Sequence, residues 1–307
     1  MNGDLQNMNH LPFDKPGQFY RGNLHTHSTL SDGALTPEQV CRRYREAGYD
    51  FISLTEHFMA NYGFPMADTR PFRTPDFTTI IGAELHTDRT TMDSIWHILA
   101  VGLPLDFAPP TETESAAALA ARATAAGAFV AVAHPNWYAL SEADIETLGA
   151  VDAIEIFNGI AVDANDSADS WHIADVMLGR GQRYFALATD DFHAKAHHSD
   201  FGRGWVWVKS TERTPEALLA ALKAGAYYSS TGPEIYDVQI VPGQTAYVRC
   251  SPVERIFVTG RGSSSARAQG HGLAEAEIDL RNFSSPYCRI TVRDVHGGRA
   301  WTNPIWY

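Results

Sequence analysis

The stretch NLHTHSTLSDG at residues 23–33 places His25 and His27 two residues apart and follows them with Asp32. Side chains two apart in a β-strand point to the same side. If this segment ends a strand, both imidazoles face one point. Imidazole and carboxylate together are a ligand set that suits Zn, Mn or Fe. Taken alone, the stretch also fits a pair of ordinary surface or core histidines.

Other short apolar runs along the chain end in the same residue types. They are Glu56 and His57 after ISLT, Glu84 and His86 in IIGAELH, His134 after VAVA, and Asp190, Asp191 and His193 in ALATDDFH. In parallel α/β folds the carboxyl ends of the strands converge on one face, where active sites are built. Five strand ends with such residues therefore predict a metal site at that face.

Apolar runs alternate with helical patterns between about residues 20 and 230. The runs are 51–57, 79–85, 97–103, 128–135, 153–158, 184–193 and 204–210, and the helical patterns are 36–49, 112–127 and 214–225. Thr36 is a suitable N-cap, and Pro37 suits the first helical position. Strands that alternate with helices predict parallel pairing and an α/β architecture.

The pattern changes after residue 233, where short β-prone pieces are separated by Gly, Ser and Pro. This predicts a small all-β module, so we expect two domains at 18–232 and 233–307. The segment GRGSSSARAQGHG at 260–272 is predicted to be a flexible turn or loop. Its glycines do not open a helix, so it is poor support for phosphate binding.

The composition is that of a folded acidic protein. The 307 residues are 44% hydrophobic and 20% charged, which is enough for a substantial core. The formal net charge of -12 disfavours general nucleic-acid binding, because an acidic chain repels phosphate backbones. A small phosphorylated substrate stays compatible with this charge, since bound divalent cations offset it locally.

The cysteines and the apolar segments bear on the compartment. Cys41, Cys250 and Cys288 are odd in number and far apart, which favours free thiols and a cytoplasmic location. The polar start MNGDLQNMNH lacks the pattern of a signal peptide. The apolar stretch 116–134 is divided by Arg122 and Gly127 into a helix and a strand, so no membrane span is expected.

The ordered set LHTHSTLSDG, LTEH, GAEL, HILAVGL, AHP and TDDFH resembles the PHP family, named for polymerase and histidinol phosphatase. The resemblance covers about residues 20–230. It implies a distorted (β/α)7 barrel with two to three divalent metal ions at its carboxyl-terminal rim. It also implies phosphoester hydrolysis by a metal-bound hydroxide. The tail after 233 resembles the C-terminal module of a PHP branch that includes carbamate and ester hydrolases.

The resemblance also implies how the ligands divide among the metals. The implied sets are His25, His27 and Asp191 for the first metal, Glu84 as a bridge, His97 and His134 for the second metal, and Asp32, His57 and His193 for the third. A metal-bound water would act with Glu84, Asp191 and His193. Some relatives carry a histidine where this chain has Asp32, which leaves the metal open among Mn, Zn and Fe.

Candidate substrate contacts follow two of these strand ends. Arg203 has a guanidinium fork that matches phosphate geometry, and His198 lies in the same basic loop with Lys195. Asn136 follows the AHP motif. The alternatives are a solvated loop for Arg203 and His198, and ordinary packing at the rim for Asn136.

Three functions are compatible with these observations. The leading one is a metal-dependent hydrolase of small phosphomonoesters or short phosphodiesters. The second is a hydrolase of carboxylic esters or carbamates that uses the same site. The third, a non-catalytic metal-binding or polymerase-associated module, is less favoured because the ligand set is full and no polymerase-sized extension is present. The expected partner is a small phosphoester, and a homo-oligomer is left open.

Overall fold

A computed structural model of the protein describes residues 11–307, and the polar segment 1–10, with its predicted lack of a signal peptide, lies outside the described residues. The helices are α1 Pro37–Glu46, α2 Ala116–Ala125, α3 Glu142–Thr147, α4 Ala161–Ala164, α5 Trp171–Gly179 and α6 Pro215–Lys223, with 3-10 turns at Ala60–Tyr62 and Arg70–Phe72. The strands are β1 Gln18–Asn23, β2 Phe51–Leu54, β3 His57–Phe58, β4 Thr78–Arg89, β5 Ile95–Val101, β6 Phe129–Val132, β7 Ala153–Asn158, β8 Phe185–Thr189, β9 Trp205–Ser210, β10 Tyr227–Ser230, β11 Ile235–Val241, β12 Thr245–Thr259, β13 Ser265–Asp279, β14 Tyr287–Arg293, β15 Arg299–Thr302 and β16 Ile305–Trp306.

The three predicted helices are confirmed as α1, α2 and α6. Thr36 caps α1 by accepting a hydrogen bond from the Gln39 N–H, and the Gln39 side-chain oxygen accepts one from the Thr36 N–H. Pro37 occupies the first turn, where its missing N–H costs nothing. Helices α3, α4 and α5 are short or weakly patterned, and the sequence patterns did not predict them.

The mixed α/β class is confirmed, but the strand directions differ from the prediction. The main path of the sheet runs β11-β12-β14-β15-β10-β9-β1-β2-β4-β5-β6-β7-β8. Neighbours β1/β2, β2/β4, β6/β7 and β7/β8 are parallel, as expected. Strand β5 is antiparallel to both β4 and β6, because β4 and β5 form a hairpin without a crossover helix.

A closed seven-stranded barrel is not confirmed, because the described sheet is open between β8 and β1. The two strands meet only beyond their ends, where Thr26 and Phe192 form a single parallel bridge. Side chains from β10 and the C-terminal segment satisfy the free edge of β8. Asn303 accepts from the Ala186 N–H at 2.8 Å, and Ser229 accepts from the Ala188 N–H at 3.0 Å.

The C-terminal strands have a core of their own. Val248, Ile256, Val258 and Ile290 are fully buried in a cluster supplied mainly by β11–β15. The sheet itself continues from β9 through β10 and β15 into these strands. The division at 232/233 therefore stays a prediction.

The predicted loop at 260–272 is wrong in its larger part. Strands β12 and β13 form a long hairpin with a short turn between Thr259 and Ser265. Small residues between Gly and Ser clusters resemble a loop in sequence, but pairing along the whole of β12 orders them as a strand.

The three cysteines are buried free thiols. Burial raises the pKa of Cys41 and of Cys288 to about 12. Within residues 11–307, no helix is long and apolar enough to cross a membrane.

Candidate metal centre

All nine predicted metal ligands lie together at one end of the sheet. They fall into overlapping groups whose potential ligand atoms lie within 4.8 Å of one another, and His86 joins one of these groups. The groups are His25, His27 and Glu84; His25, His134 and Asp191; His57, Glu84, His86 and His97; and His27, Asp32, His57 and His193.

Glu84 on β4 is the centre of the cluster. One carboxylate oxygen, Oε1, lies 2.8 Å from His97 Nδ1 and 3.1 Å from His134 Nε2. The other oxygen, Oε2, lies 2.6 Å from His57 Nδ1. Burial would raise the pKa of Glu84, but the imidazoles of His97, His57 and His25 outweigh it and hold the pKa well below its usual range. The carboxylate is therefore ionised, with imidazoles facing both of its oxygens.

His25 and His27 face one carboxylate, although both lie just past the end of β1 at Asn23, with a single bridge from Thr26 to Phe192 between them. Asp191 Oδ1 lies 3.3 Å from His25 Nε2 and 3.0 Å from His27 Nε2. The segment is held by the Phe192 carbonyl, which accepts from the His27 N–H at 2.8 Å. The two imidazoles differ in charge preference. Burial lowers the pKa of His27, and the nearby His193 and His57 lower it further. At His25 the carboxylates of Asp191, Glu155 and Glu84 outweigh burial and raise the pKa.

His97 reaches the cluster because β5 runs antiparallel to β4. Its register partner on β4 is His86, two residues from Glu84 on the same face. A residue near the start of β5, such as His97, therefore lies beside the carboxyl-terminal half of β4. Burial lowers the pKa of His97 to about 3, which leaves the imidazole neutral at pH 7. The neutral form is the one that binds metals.

Asp32 belongs to the group that also contains His27, His57 and His193. Its Oδ1 lies 3.1 Å from His193 Nε2 and 3.5 Å from His57 Nε2. Its Oδ2 accepts a hydrogen bond from Lys195 Nζ at 2.7 Å. Burial would raise the pKa of Asp32, but His193 and Lys195 hold it below the usual range. A lysine thus competes for the carboxylate at this third position.

Glu155 on β7 supports the cluster and was missed by sequence reasoning. It is fully buried, and its Oε1 lies 3.0 Å from His25 Nδ1. Its Oε2 accepts from the His134 N–H at 2.6 Å and from Asn158 Nδ2 at 3.1 Å, and the Thr189 hydroxyl donates to Oε1. The available signal was a single carboxylate in the middle of the apolar run AIEIFN.

Glu56 and Asp190 point away from the cluster, as predicted, although both lie just past the ends of β2 and β8 and not within a strand. Glu56 accepts hydrogen bonds from the Ser28 N–H at 3.0 Å and from the Ser28 hydroxyl. Asp190 accepts from the Tyr44 hydroxyl at 2.6 Å, and burial raises its pKa to about 6. Both carboxylates order the segments that carry the predicted ligands.

Among the described residues, several buried atoms of the cluster lie close to one another without forming a correctly oriented hydrogen bond. They are His25 Nε2, both ring nitrogens of His27, Asp32 Oδ1, Glu84 Oε2, His134 Nδ1 and Asp191 Oδ1. Buried polar atoms almost always have a partner, so a converging set without one requires an explanation. Nitrogen and oxygen atoms of this kind fit divalent transition metals. His134 and Asp191 also have positive φ angles, 25° and 51°, a strain typical of functional sites.

A cavity of about 250 Å³ opens onto the cluster. Its walls are Asp32, His57, His97, His134, Trp137, Tyr138, Ile160, Ala164, Asp191, His193, Lys195 and His198. The Tyr138 ring lies 4.6 Å from the His97 ring, and Trp137 lies 5.8 Å from His134. Burial, with Glu84 and Asp191 nearby, raises the pKa of Tyr138 to about 12, so its hydroxyl keeps its proton.

Of the three predicted substrate contacts, only His198 lines this cavity. The Arg203 guanidinium lies 3.4 Å from Asp163 Oδ2 and donates to the Ser199 carbonyl, outside the cavity wall. Asn136 is exposed and lines a separate cavity of about 520 Å³. The structure brings Lys195 to the metal cavity in their place.

Three solved structures are similar to this chain. A two-domain protein from Bacteroides vulgatus, containing a predicted PHP-like metal-dependent phosphoesterase, matches with TM-score 0.53 and 16% identity over 92% of this chain and 93% of that one. An inferred metal-dependent phosphoesterase from Bifidobacterium adolescentis matches with TM-score 0.42 and 13% identity over 59% and 90%. An amidohydrolase from Chromobacterium violaceum, with bound sulfate and no metal, matches with TM-score 0.44 and 16% identity over 57% and 88%.

No family model matches the sequence, and no curated protein matches it. The first structural match spans nearly all of both chains and is the one on which the conclusion depends. Together with the ordered motifs, it supports the resemblance seen in the sequence: the chain has a PHP-like fold.

Proposed function

We propose that the protein is a metal-dependent hydrolase that cleaves small phosphomonoesters or short phosphodiesters. The observation that carries the proposal is the convergence of buried imidazole and carboxylate atoms, several without a correctly oriented hydrogen bond, beside one cavity. Burying such groups without partners destabilises a fold, so their presence favours a function that needs them.

Two shared contacts support the predicted ligand division: His25 and His27 both face Asp191 Oδ1, and His97 and His134 both face Glu84 Oε1. The groups of close ligand atoms divide differently, since His134 falls with His25 and Asp191. In the division we propose, His25, His27 and Asp191 would hold one cation, His97 and His134 a second, and Glu84 would lie between them. Asp32, His57 and His193 would hold a third. Divalent cations bound there supply Lewis-acid catalysis and lower the pKa of water. We propose two to three ions of Mn, Zn or Fe, which the donor types do not separate.

Neighbouring groups orient the imidazoles for this role. Glu155 faces His25 Nδ1, which directs Nε2 toward Asp191 and Glu84. The Asp191 carbonyl lies 2.8 Å from His193 Nδ1, which directs that Nε2 toward Asp32. Such contacts select the tautomer and the ring orientation of a ligating histidine.

Lys195 is the residue best placed to receive an anionic substrate. Among the described residues that line the cavity, Lys195 is the single lysine or arginine. Its positive charge therefore does not depend on whether the histidines are protonated. Its ammonium donates one hydrogen bond to Asp32, and of its three donors two remain for a further acceptor. Tyr138, which keeps its proton, can donate to a substrate oxygen from the opposite aromatic wall.

A carboxylic-ester or carbamate hydrolase is the second candidate. Trp137, Tyr138, Ile160 and Ala164 make part of the cavity wall apolar, which suits a neutral acyl group. The cation at Lys195 favours the phosphoester, because a neutral ester gives it no charge to bind.

The test is turnover by metal-loaded protein of matched aryl phosphomonoesters, aryl phosphodiesters and aryl carboxylic esters. The proposal expects activity on at least one phosphoester, loss on chelation and loss in a His25→Ala/His27→Ala variant. His172→Ala, at an exposed histidine outside the cluster, is the matched control and should be fully active. Phosphoester turnover no greater than that of the double variant, with ester turnover intact, would move the assignment to the second candidate.

We also propose that the strands form a barrel and that the protein is cytoplasmic. The Thr26–Phe192 bridge supports a distorted seven-stranded barrel built from β1, β2 and β4–β8. The buried free thiols support a reducing, cytoplasmic location. A crystal structure of the metal-loaded protein tests the first, and cell fractionation tests the second.

A further inference from the structure

Strand β13 is an unusually long edge strand. It runs for 15 residues and pairs only with β12 among the described strands. Of those residues only Ile278 is buried. The outer edge of such a strand presents a row of unpaired N–H and C=O groups, which is a template for pairing with another chain.

Two devices that usually protect an edge, proline and lysine, are absent from β13, although the strand carries charged residues and its pairing shifts register near the middle. Its sequence, SARAQGHGLAEAEID, has no proline and no lysine, and small residues occupy every even position from 266 to 276. The other edges are shorter or covered. Strand β11 has seven residues, and N–H groups of the short strand β8 are satisfied by Asn303 and Ser229.

The charges along β13 are divided between its halves. The first half carries Arg267, and the second carries Glu275, Glu277 and Asp279. Two copies in parallel and in register would place the acidic halves side by side, which is unfavourable. An antiparallel copy centred on Gly272 places Arg267 opposite Glu277 of the other copy, twice by symmetry.

The register of β13 on β12 shifts at the same centre. Pairing is regular from Ser265 to Gln269 and again from Glu275 to Asp279, and it shifts between them around Gly272. A two-fold axis at Gly272 would therefore bring the irregular part of one copy against the irregular part of the other. The two regular segments would pair with each other.

We propose that β13 pairs antiparallel with β13 of a second copy of this chain, with the two-fold axis at Gly272, and so forms a symmetric dimer. The interface is isologous, since the same strand serves both copies. The side chains of β13 do not line the metal cavity, so dimer formation and the chemistry of the cavity are separate properties.

The test is sedimentation equilibrium of the full chain across the micromolar range. The native protein should approach twice the 33.8 kDa of one chain. Arg267→Glu should raise the dimer dissociation constant by about tenfold, because two symmetry-related pairs become repulsive. The double variant Arg267→Glu/Glu277→Arg should restore the native constant. Arg42→Glu, an exposed change of equal charge on α1, should leave it unchanged.

Hydrogen exchange of the native chain is the second measurement. The amides of β13 should gain protection as the concentration rises, whereas those of β11, the shorter edge, should not. A native chain that stays monomeric overturns the proposal. So does a dimer that Arg267→Glu leaves intact, or one that the double variant fails to restore. Protection of β13 by an added peptide, without self-association, would assign the edge to a different partner and also overturn it.

Discussion

The strand ends around Glu84 and the C-terminal strands β11–β14 bury their side chains in opposite ways. The C-terminal strands bury alternate aliphatic residues such as Val248, Ile256 and Ile290, which is the burial that favours folding. The strand ends bury carboxylates and imidazoles, several without a hydrogen-bond partner among the described residues. Such burial opposes folding unless a bound ion compensates for it. The C-terminal strands therefore stabilise the protein, and the strand ends around Glu84 are the region to which we assign the proposed chemistry.

The largest expected effect follows from replacing the carboxylate at the centre of the cluster. Glu84→Gln removes the charge that faces His97, His134 and His57. We expect turnover to fall by roughly a thousandfold, since a charged group at the reacting centre is lost. Metal content per chain should fall with it, as measured by elemental analysis. Glu212→Gln, at an exposed carboxylate, should change neither quantity, and full metal content in Glu84→Gln would contradict the ligand assignment.

The next effect concerns stability and should leave the chemistry unchanged. Ile256→Ala removes a fully buried side chain from the C-terminal core and should lower the free energy of unfolding by about 2–5 kcal/mol. Turnover per folded molecule should match the native protein. Denaturant unfolding and active-site titration measure the two quantities. Val241→Ala, at a side chain 45% exposed, should cost less than about 0.5 kcal/mol. A large loss of turnover in Ile256→Ala would show that the two regions are coupled.

The sequence predicted the residues whose position depends on local spacing. The two-residue spacing predicted that His25 and His27 share a side, and the resemblance to the PHP family grouped them with Asp191. The alternation of neighbouring residues predicted that Glu56 points away from the side of His57. His97 needed one further fact, the antiparallel direction of β5, because a strand that opens with a ligand reaches the cluster only in that direction. Strand direction depends on tertiary pairing and is not visible in the local pattern.

The failures have the same origin in long-range contacts. Glu155 lies inside an apolar run, and its role depends on the distance between β7 and the segment of His25. Arg203 was predicted to bind phosphate; its guanidinium lies beside Asp163 on α4, remote in sequence, and a role in phosphate binding stays a prediction. The segment 260–272 was assigned to a loop from its small residues, and pairing with β12 made most of it a strand.

Glu155→Gln tests whether the carboxylate that contacts His25 and the His134 N–H strengthens metal binding. The change replaces an acceptor of hydrogen bonds from the His134 N–H and the Asn158 amide, and removes the charge beside His25. Metal affinity should fall by about 10–100-fold, the usual effect of losing a carboxylate behind a ligating histidine. Competition with a chelator, followed by calorimetry, measures it. Glu56→Gln, at a buried carboxylate that points away, is the matched control and should weaken metal binding less. Equal losses in both variants would mean that Glu155 acts on folding alone.

The smallest expected effect separates the two candidate functions. Lys195→Met keeps the aliphatic length of the side chain but removes the ammonium that lies 2.7 Å from Asp32. For a phosphomonoester we expect KM to rise by about tenfold, because a charge-assisted hydrogen bond to the substrate is lost. For a neutral aryl ester KM should stay the same, since that substrate offers no charge to the ammonium.

Arg203→Met is the matched control: its guanidinium is paired with Asp163 outside the cavity wall, so KM should not change. A rise in KM with Arg203→Met but not with Lys195→Met would assign phosphate binding to Arg203, as the sequence analysis predicted. Equal rises for both substrate classes would mean that Lys195 orders Asp32 and the cavity wall without binding the phosphate itself.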